Sequence, residues 1–472
     1  MNEIKNNSRR NFIGKVSCAG LGYMTLMNSL LNFKAMNAAA ISNSSVNNYK
    51  AIVCILQAGG NDSFNMLIPR NNAKYNEYAA ARSNLAIPQN QILPIYPTSS
   101  DGNEYGVHPA MQGVQNLFNN GKLSFVTNIG TLVEPLSKAS YLNNSAAKLP
   151  LGLFSHSDQI QQWQTAILDN RTVTGWGGKI ADLIGDQNSN QRISMNVTLS
   201  GTNIFQTGNN TIEYAISNEG SIGISGYDTQ SNWLFEQLKT QAIDNIIEHN
   251  YQDIFKNTYA NTLKRGRNNH DEFTAALNTF GGFANGVFNT DNPISQDLGM
   301  IAKTIAVRNA LGFKRQIFFV TVGGWDHHDE LLDTQYGMLG MLSDALAEFN
   351  AGLQAIGAED DVLTFTISEF GRTLTSNGDG TDHAWGGNVM AMGGNNLVNG
   401  KKIFGTYPSL VLDGPSDVGD GVILPTTSTD EYFAEISKWF GVPNSDLGFI
   451  FPQLNNFYNI NSNAMPIGFI NA

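Results

Sequence analysis

Apolar residues recur along this chain in two rhythms. Short, mainly apolar runs at 51–56, 123–129, 317–322, 362–367 and 389–392 are rich in Val, Ile and Phe and are bounded by Gly, Asn or Asp. Runs of that length with such borders predict strands buried on both faces of a parallel sheet. Between them the period lengthens to three and four. It predicts helices around 75–82, from Ala110 through Val114 and Phe118, from Ile160 through Trp163 and Ile167, and from Leu183 back to the glycines at 177–178. The same period recurs over 231–263 (Leu234, Leu238, Ile243, Ile246, Ile247), 297–312 (Leu298, Ile301, Ile305, Leu311) and 339–356 (Leu342, Leu346, Phe349, Leu353). Strands alternating with amphipathic helices define a layered α/β fold. Residues 192–227 break the rhythm with short alternating runs punctuated by Gly and Asn, which read as hairpins decorating the core within an insertion at about 190–290.

The polar residues just past the strands are the candidate chemistry. The run 317–322 stops at Gly323-Gly324, and Asp326, His327 and His328 follow at once. The carboxyl ends of parallel strands are where open α/β sheets bind ligands. Asp62 follows the first strand behind Gly59-Gly60, Glu369 and Arg372 follow the strand at 362–367, and Asp382 and His383 lie in the Gly/Asp loop beyond. Charged groups at buried strand ends are costly unless paired or metal-bound, and mixed carboxylate and imidazole donors suit Zn, Mn or Fe rather than Mg or Ca. The expectation is one or two divalent ions held among Asp62, Asp326, His327, His328, Glu369, Asp382 and His383. Ser155, His156 and Asp158 open the helix at 156. A capping box between Ser155 and Asp158 explains them, and so does a nucleophile or anion site at a helix start; both readings stand. His108 precedes a helix and reads as a capping residue, while His249 and His270 read as surface histidines.

Charge and cysteine narrow the partners. The net charge is −12, and without the first 40 residues, which hold five Lys/Arg and one Glu, about −16 remains. That balance excludes nucleic acid or an anionic membrane as the principal partner, although a metal can still recruit a small anionic substrate. Cys54 sits in the first strand with no basic or His-rich surroundings and reads as a core residue. Residues 1–40 form an address: Arg9-Arg10 with Phe12, a moderately apolar stretch at 16–33 interrupted by Asn28 and Asn32, and Ala38-Ala39-Ala40. This is the order of a twin-arginine signal peptide, so the export machinery is a partner. The protein is expected in the periplasm or secreted, without a stable transmembrane helix after processing. A polar linker at 41–50 leads to the α/β domain at 51–472.

These motifs carry a family resemblance. LQAGGND at 56–62, FSHSDQ at 154–159, GGWDHH at 323–328, SEFGRT at 368–373, GTDHAWGG at 380–387 and WFGV at 439–442 resemble the exported bacterial family known as domain of unknown function 1501, over nearly all of the mature chain. That family is similar in turn to the alkaline-phosphatase and sulfatase superfamily. The resemblance implies a central β-sheet flanked by helices on both faces, a two-metal site at its carboxyl edge, and displacement at phosphorus or sulfur. On that reading Asp62, Asp326, His328, Glu369 and His383 hold metal, Ser155 is the nucleophile, and Arg372 binds a non-bridging oxygen. The pattern departs from the superfamily in the close spacing of Asp326 and His328, and in Glu369-Phe370 where an Asp-His pair is usual. The expected function is an exported metal-dependent hydrolase of phosphate or sulfate esters. Its alternative is a catalytically degenerate binding or assembly protein on the same scaffold.

Overall fold

The run that begins at Ala51 becomes the middle of a ten-stranded sheet. The computed structural model describes residues 49–98, 101–143 and 146–471; the expected signal peptide and all but the end of the linker lie outside the described residues. In chain order the strands are β1 (Lys50–Ala58), β2 (Leu67–Pro69), β3 (Leu93–Ile95), β4 (Tyr105–Val107), β5 (Leu123–Gly130), β6 (Asn196–Thr198) and β7 (Tyr214–Ser217). They continue with β8 (Gly220–Ser221), β9 (Arg315–Gly323), β10 (Val362–Ile367), β11 (Gly387–Met392), β12 (Ile403–Phe404) and β13 (Thr427–Ser428). The large sheet runs β12-β5-β11-β10-β1-β9-β6-β7-β8, with β13 also beside β5, and β2, β4 and β3 make a small antiparallel sheet. β1 is parallel to both neighbours, with Leu56 opposite Ile367 of β10 and Ala58 opposite Gly323 of β9. This register brings the ends of three strands to one edge, so their following loops share one place.

Helices flank the sheet on both faces. Gln112–Asn119, Pro293–Ala306 and Leu331–Ala355 pack together as one group, and His156–Thr165, Trp176–Ile184, Thr429–Phe440 and Asn444–Ile450 as another. Two of these helix starts have a clear local cause. The Asn292 side chain accepts the Ile294 and Ser295 amides with Pro293 at the first turn, and Ser428 with Glu431 completes a capping box. Trp176 anchors the second group: fully buried, it stacks on Phe433 at 4.7 Å between centroids and meets Phe365 of β10 at 6.0 Å. Cys54 is buried in β1, as its surroundings imply, and burial pushes its thiol well above the usual range.

Three expectations need correction. β11 runs antiparallel to both β10 and β5, so the central sheet is mixed rather than parallel. The segment at 192–227 does not merely decorate the core. β6 pairs parallel with β9, β7 parallel with β6, and β8 antiparallel with β7, so the segment extends the central sheet. Short alternating runs fit an edge strand as well as a hairpin, because both have one wet side. The helix expected over 231–263 is two, Leu234–Ile247 and Ile254–Leu277, with the second begun by Asp253, whose side chain accepts the Lys256 amide. A capping aspartate inside an apolar period ends one helix and starts another. No helix among the described residues is long and apolar enough to cross a membrane.

Candidate metal centre

Four loops meet at the shared edge. Behind β1 the chain turns through Gly59 and Gly60, both with positive φ (126° and 82°). A Cβ on Gly59 would collide with the backbone at Trp325 and Asp326, which only glycine avoids. The Gly59 amide donates to Glu369 Oε1 at 2.7 Å, tying the ends of β1 and β10 together. The chain after β10 and the loop at 380–387 then run antiparallel: the Gly371 amide donates to the Trp385 carbonyl at 3.0 Å and the Thr373 amide to the Asp382 carbonyl at 2.9 Å. SEFGRT and GTDHAWGG are thus two halves of one hydrogen-bonded unit, and that unit delivers His383.

Three imidazoles converge beside the Asp326 carboxylate. His383 Nε2 lies 3.0 Å from His156 Nε2 and 3.1 Å from His328 Nε2. Asp326 Oδ1 lies 3.0 Å from His328 Nε2 and 3.3 Å from His383 Nε2, and its Oδ2 is 3.4 Å from His156 Nε2. Each ring is held through its other nitrogen. His383 Nδ1 donates to the Phe154 carbonyl at 2.9 Å, His156 Nδ1 to Glu369 Oε1 at 2.9 Å, and His328 Nδ1 to Asp382 Oδ1 at 3.0 Å. A carbonyl or carboxylate can only accept, so these contacts place a proton on each Nδ1; with the rings neutral, the three Nε2 lone pairs face the same space beside Asp326. Lone pairs at this separation repel unless a cation lies between them. Atoms about 2.0–2.1 Å from a tetrahedral ion lie about 3.3 Å apart, and the distances here scatter around that value. The ligand atoms of His156, Asp326 and His383 lie within 4.8 Å of one another, so the residues fit a metal ion. Imidazoles oriented by outer carboxylates and a backbone carbonyl are the usual second layer of such a centre.

The electrostatics agree with that donor set. Burial pushes the Asp326 carboxyl up, but the hydrogen bond and charge of Arg372, followed by the fields of His328 and His156, outweigh it and hold the group below the usual range. Burial, helped by the nearby His156 and Arg372, lowers His383 and favours the neutral, ligating imidazole. The Phe370 ring supports both inner imidazoles, 4.9 Å from His156 and 4.7 Å from His383 between centroids.

Several expected residues take other roles. Asp62 is not among the groups that meet at Asp326: it is fully buried and its Oδ2 is taken by Arg82 Nη2 in an ion pair. A guanidinium already neutralises the charge expected to call for metal. His327 is also buried, on the opposite side of the extended backbone from His328, with its ring 6.1 Å from that of Trp325. Glu369 and Asp382 orient His156 and His328 rather than joining the converging atoms. Arg372 is fully buried and donates to Asp326 Oδ1 at 2.7 Å, to the Thr381 carbonyl at 2.5 Å and to Thr381 Oγ1 at 3.3 Å. It fixes Asp326 and has no exposed face for a substrate oxygen. The capping box at 155 does not form: Ser155 occupies the cap position without a side-chain cap, and Asp158 instead pairs with Arg171 at 2.7 Å. Ser155 Oγ lies 3.1 Å from Ser157 Oγ, one residue from the His156 ligand position. Sequence reasoning missed Arg82, Phe370 and the Phe154 carbonyl. Phe370 had a signal in its place inside SEFGRT and Phe154 in opening FSHSDQ, while Arg82 had none.

Residues 49–420 match the family model described as "Protein of unknown function (DUF1501)", and the chain belongs to that family. No curated protein matches it. Among solved structures, the chain is similar to the PsFucS1 sulfatase from Pseudoalteromonas sp., with 11% identity over 88% of this chain and 72% of that one, at a TM-score of 0.35. It is also similar to the lipoteichoic acid synthase LtaP from Listeria monocytogenes, with 10% identity over 86% and 78% and a TM-score of 0.31. An alkaline phosphatase from the Antarctic bacterium TAB5 follows, with 11% identity over 74% and 92% and a TM-score of 0.19. Scores of this size establish no shared site or activity.

Proposed function

We propose that this member of the DUF1501 family is an exported metal-dependent hydrolase of phosphate or sulfate esters. Its divalent ion, Zn before Mn or Fe, is held by His156, His328, His383 and Asp326. The observation that carries the reading is the meeting of three imidazole Nε2 atoms at one carboxylate, each ring fixed from behind through its Nδ1. When bound, the ion supplies Lewis acidity to the phosphoryl or sulfuryl oxygen of the ester. Arg372 holds Asp326 ionised and in place, Glu369 and Asp382 keep the protons of His156 and His328 on Nδ1, and Phe370 shields the inner rings from water. The hydroxyl of Ser155 or of a water molecule is the nucleophile. The small anionic ester is the substrate partner, and the twin-arginine machinery delivers the protein to the periplasm or the medium.

A second reading has one observation in its favour. His156, Asp326 and His383 have donor atoms within 4.8 Å of one another, and with His328 as a fourth the site would be closed to substrate, as structural sites are. On that reading the ion stabilises a binding or assembly protein.

Metal analysis of the purified protein, with turnover of 4-nitrophenyl phosphate, bis(4-nitrophenyl) phosphate and 4-nitrophenyl sulfate, separates the two. One ion per chain and hydrolysis, both lost in His383→Ala, support the hydrolase. Metal retained with no turnover of any ester supports the second reading, and protein that binds no Zn, Mn or Fe sinks both. His383→Ala is a better probe than Asp326→Ala, because removing Asp326 strands the buried Arg372 charge and costs about 3–5 kcal/mol of stability. Export is tested separately by Arg9→Lys with Arg10→Lys, which retains the protein in the cytoplasm.

A further inference from the structure

β6 stops at Thr198 while β9 runs on to Gly323, so the end of β9 has an open flank. A cleft of about 500 Å³ occupies that flank, within the usual size of a small-ligand site. Gln164, Ser200, Thr202, Asn203, Phe319 and Thr321 are among its lining residues, and among the described residues no charged side chain lines it. The polar groups are held by the fold. Gln164 Oε1 accepts the Phe205 amide at 2.9 Å, Ser200 Oγ accepts the Thr321 amide at 2.7 Å, and Asn203 Oδ1 accepts the Gln206 amide at 2.9 Å. Thr202 and Thr321 are exposed at the mouth.

We propose that this cleft is a saccharide-binding subsite, holding an uncharged sugar unit of an oligosaccharide whose ester group lies at the metal centre. Hydroxyls and carboxamides both donate and accept, which matches a polyol, and Phe319 supplies an apolar floor. An anion would be desolvated here with no Lys, Arg or His among the described lining residues to meet it. The spacing fits an extended substrate. Gln164 lies eight residues after His156 on one helix, about 12 Å along its axis, and Thr321 lies five residues before Asp326. The cleft is therefore too far for the reacting group and near enough for the rest of the chain that carries it.

The ester half of the proposal rests on the hydrolase reading; the binding half is tested without turnover. Calorimetry and saturation-transfer NMR on the full mature protein use neutral hexasaccharides of β-1,4-glucose, α-1,4-glucose, β-1,4-galactose and β-1,4-N-acetylglucosamine, with tri- to hexa-alanine as the peptide comparison. At least one hexasaccharide is expected to bind. Thr202→Trp, which fills the mouth, weakens it by about tenfold or more, while Thr202→Ser and the metal content stay as in wild type. Saccharide binding that Thr202→Trp weakens, in a protein that hydrolyses no ester, overturns the hydrolase and leaves the subsite standing. The subsite is overturned if none of the four sugars binds, if Thr202→Trp binds as wild type does, or if the alanine peptides bind and the sugars do not.

Discussion

The strand-end loops around Asp326 and the helix pair Leu234–Ile247 and Ile254–Leu277 both begin as apolar patterns, and they end in opposite circumstances. All six residues from Arg315 to Val320 of β9 are buried, and the loop beyond is pinned by Arg372, Thr381 and the Gly59 turn. In the helix pair, Leu234 and Phe235 are 70% exposed and Phe255 82%, and the first helix buries only Thr240 and Ile247. Ion pairs of Arg267 with Asp244 at 2.8 Å and Glu248 at 2.9 Å join the two helices at the surface. Such half-exposed pairs contribute about 0–1 kcal/mol each. The difference teaches that a strand buried on both sides brings its neighbours with it through the hydrogen-bond ladder. An amphipathic helix announces a face but not what covers it.

That contrast can be broken by substitution. The largest effect is expected from Trp176→Ala in the sheet's helical layer, a loss of about 3–5 kcal/mol in urea unfolding; a loss below about 1 kcal/mol would mean the layer is as loose as the helix pair. His383→Ala is next, with metal binding and ester turnover down more than about 100-fold and the fold retained by circular dichroism. Unchanged metal affinity would remove His383 from the centre. The pH test follows. His108 is buried, its Nδ1 accepts the Ala110 amide at 3.2 Å, and burial lowers its pKa to about 4. The folded state therefore resists a proton that the unfolded chain accepts near pH 6.5. Stability is fully present above that pH and is lost as pH falls toward 4, a slope that His108→Asn flattens in a comparison of melting temperatures.

Glu369→Gln keeps the shape behind His156 while removing the charge, and a fall in metal affinity of about 10–100-fold is expected by competition with a chelator. An affinity equal to wild type would make Glu369 a tie between β1 and β10 only. The smallest effect belongs to the other side of the comparison. Phe255→Ser, at an exposed position of the helix pair, changes stability by no more than about 0.5 kcal/mol, and a larger loss would reveal packing there.

The strands were readable because their signal is local. The expected runs at 51–56, 123–129, 317–322, 362–367 and 389–392 lie inside β1, β5, β9, β10 and β11, since continuous apolar stretches bounded by turn residues have few other uses. The same pattern placed Asp326, His328, Glu369 and His383 at strand ends or in adjoining loops. Parallel register then makes those loops neighbours. By itself, then, the sequence determined the α/β core, its central strands, the family and the neighbourhood of the site. Only the tertiary structure decided which polar groups share that neighbourhood. Asp62 and Asp326 each follow a strand, yet one is neutralised by Arg82 from a helix twenty residues away and the other meets three imidazoles. His327 and His328 are adjacent, yet the extended backbone turns one into the interior and the other toward His383. Periodicity reports which side of an element is apolar. Side-chain direction and partner identity depend on contacts hundreds of residues apart, and no local pattern encodes them.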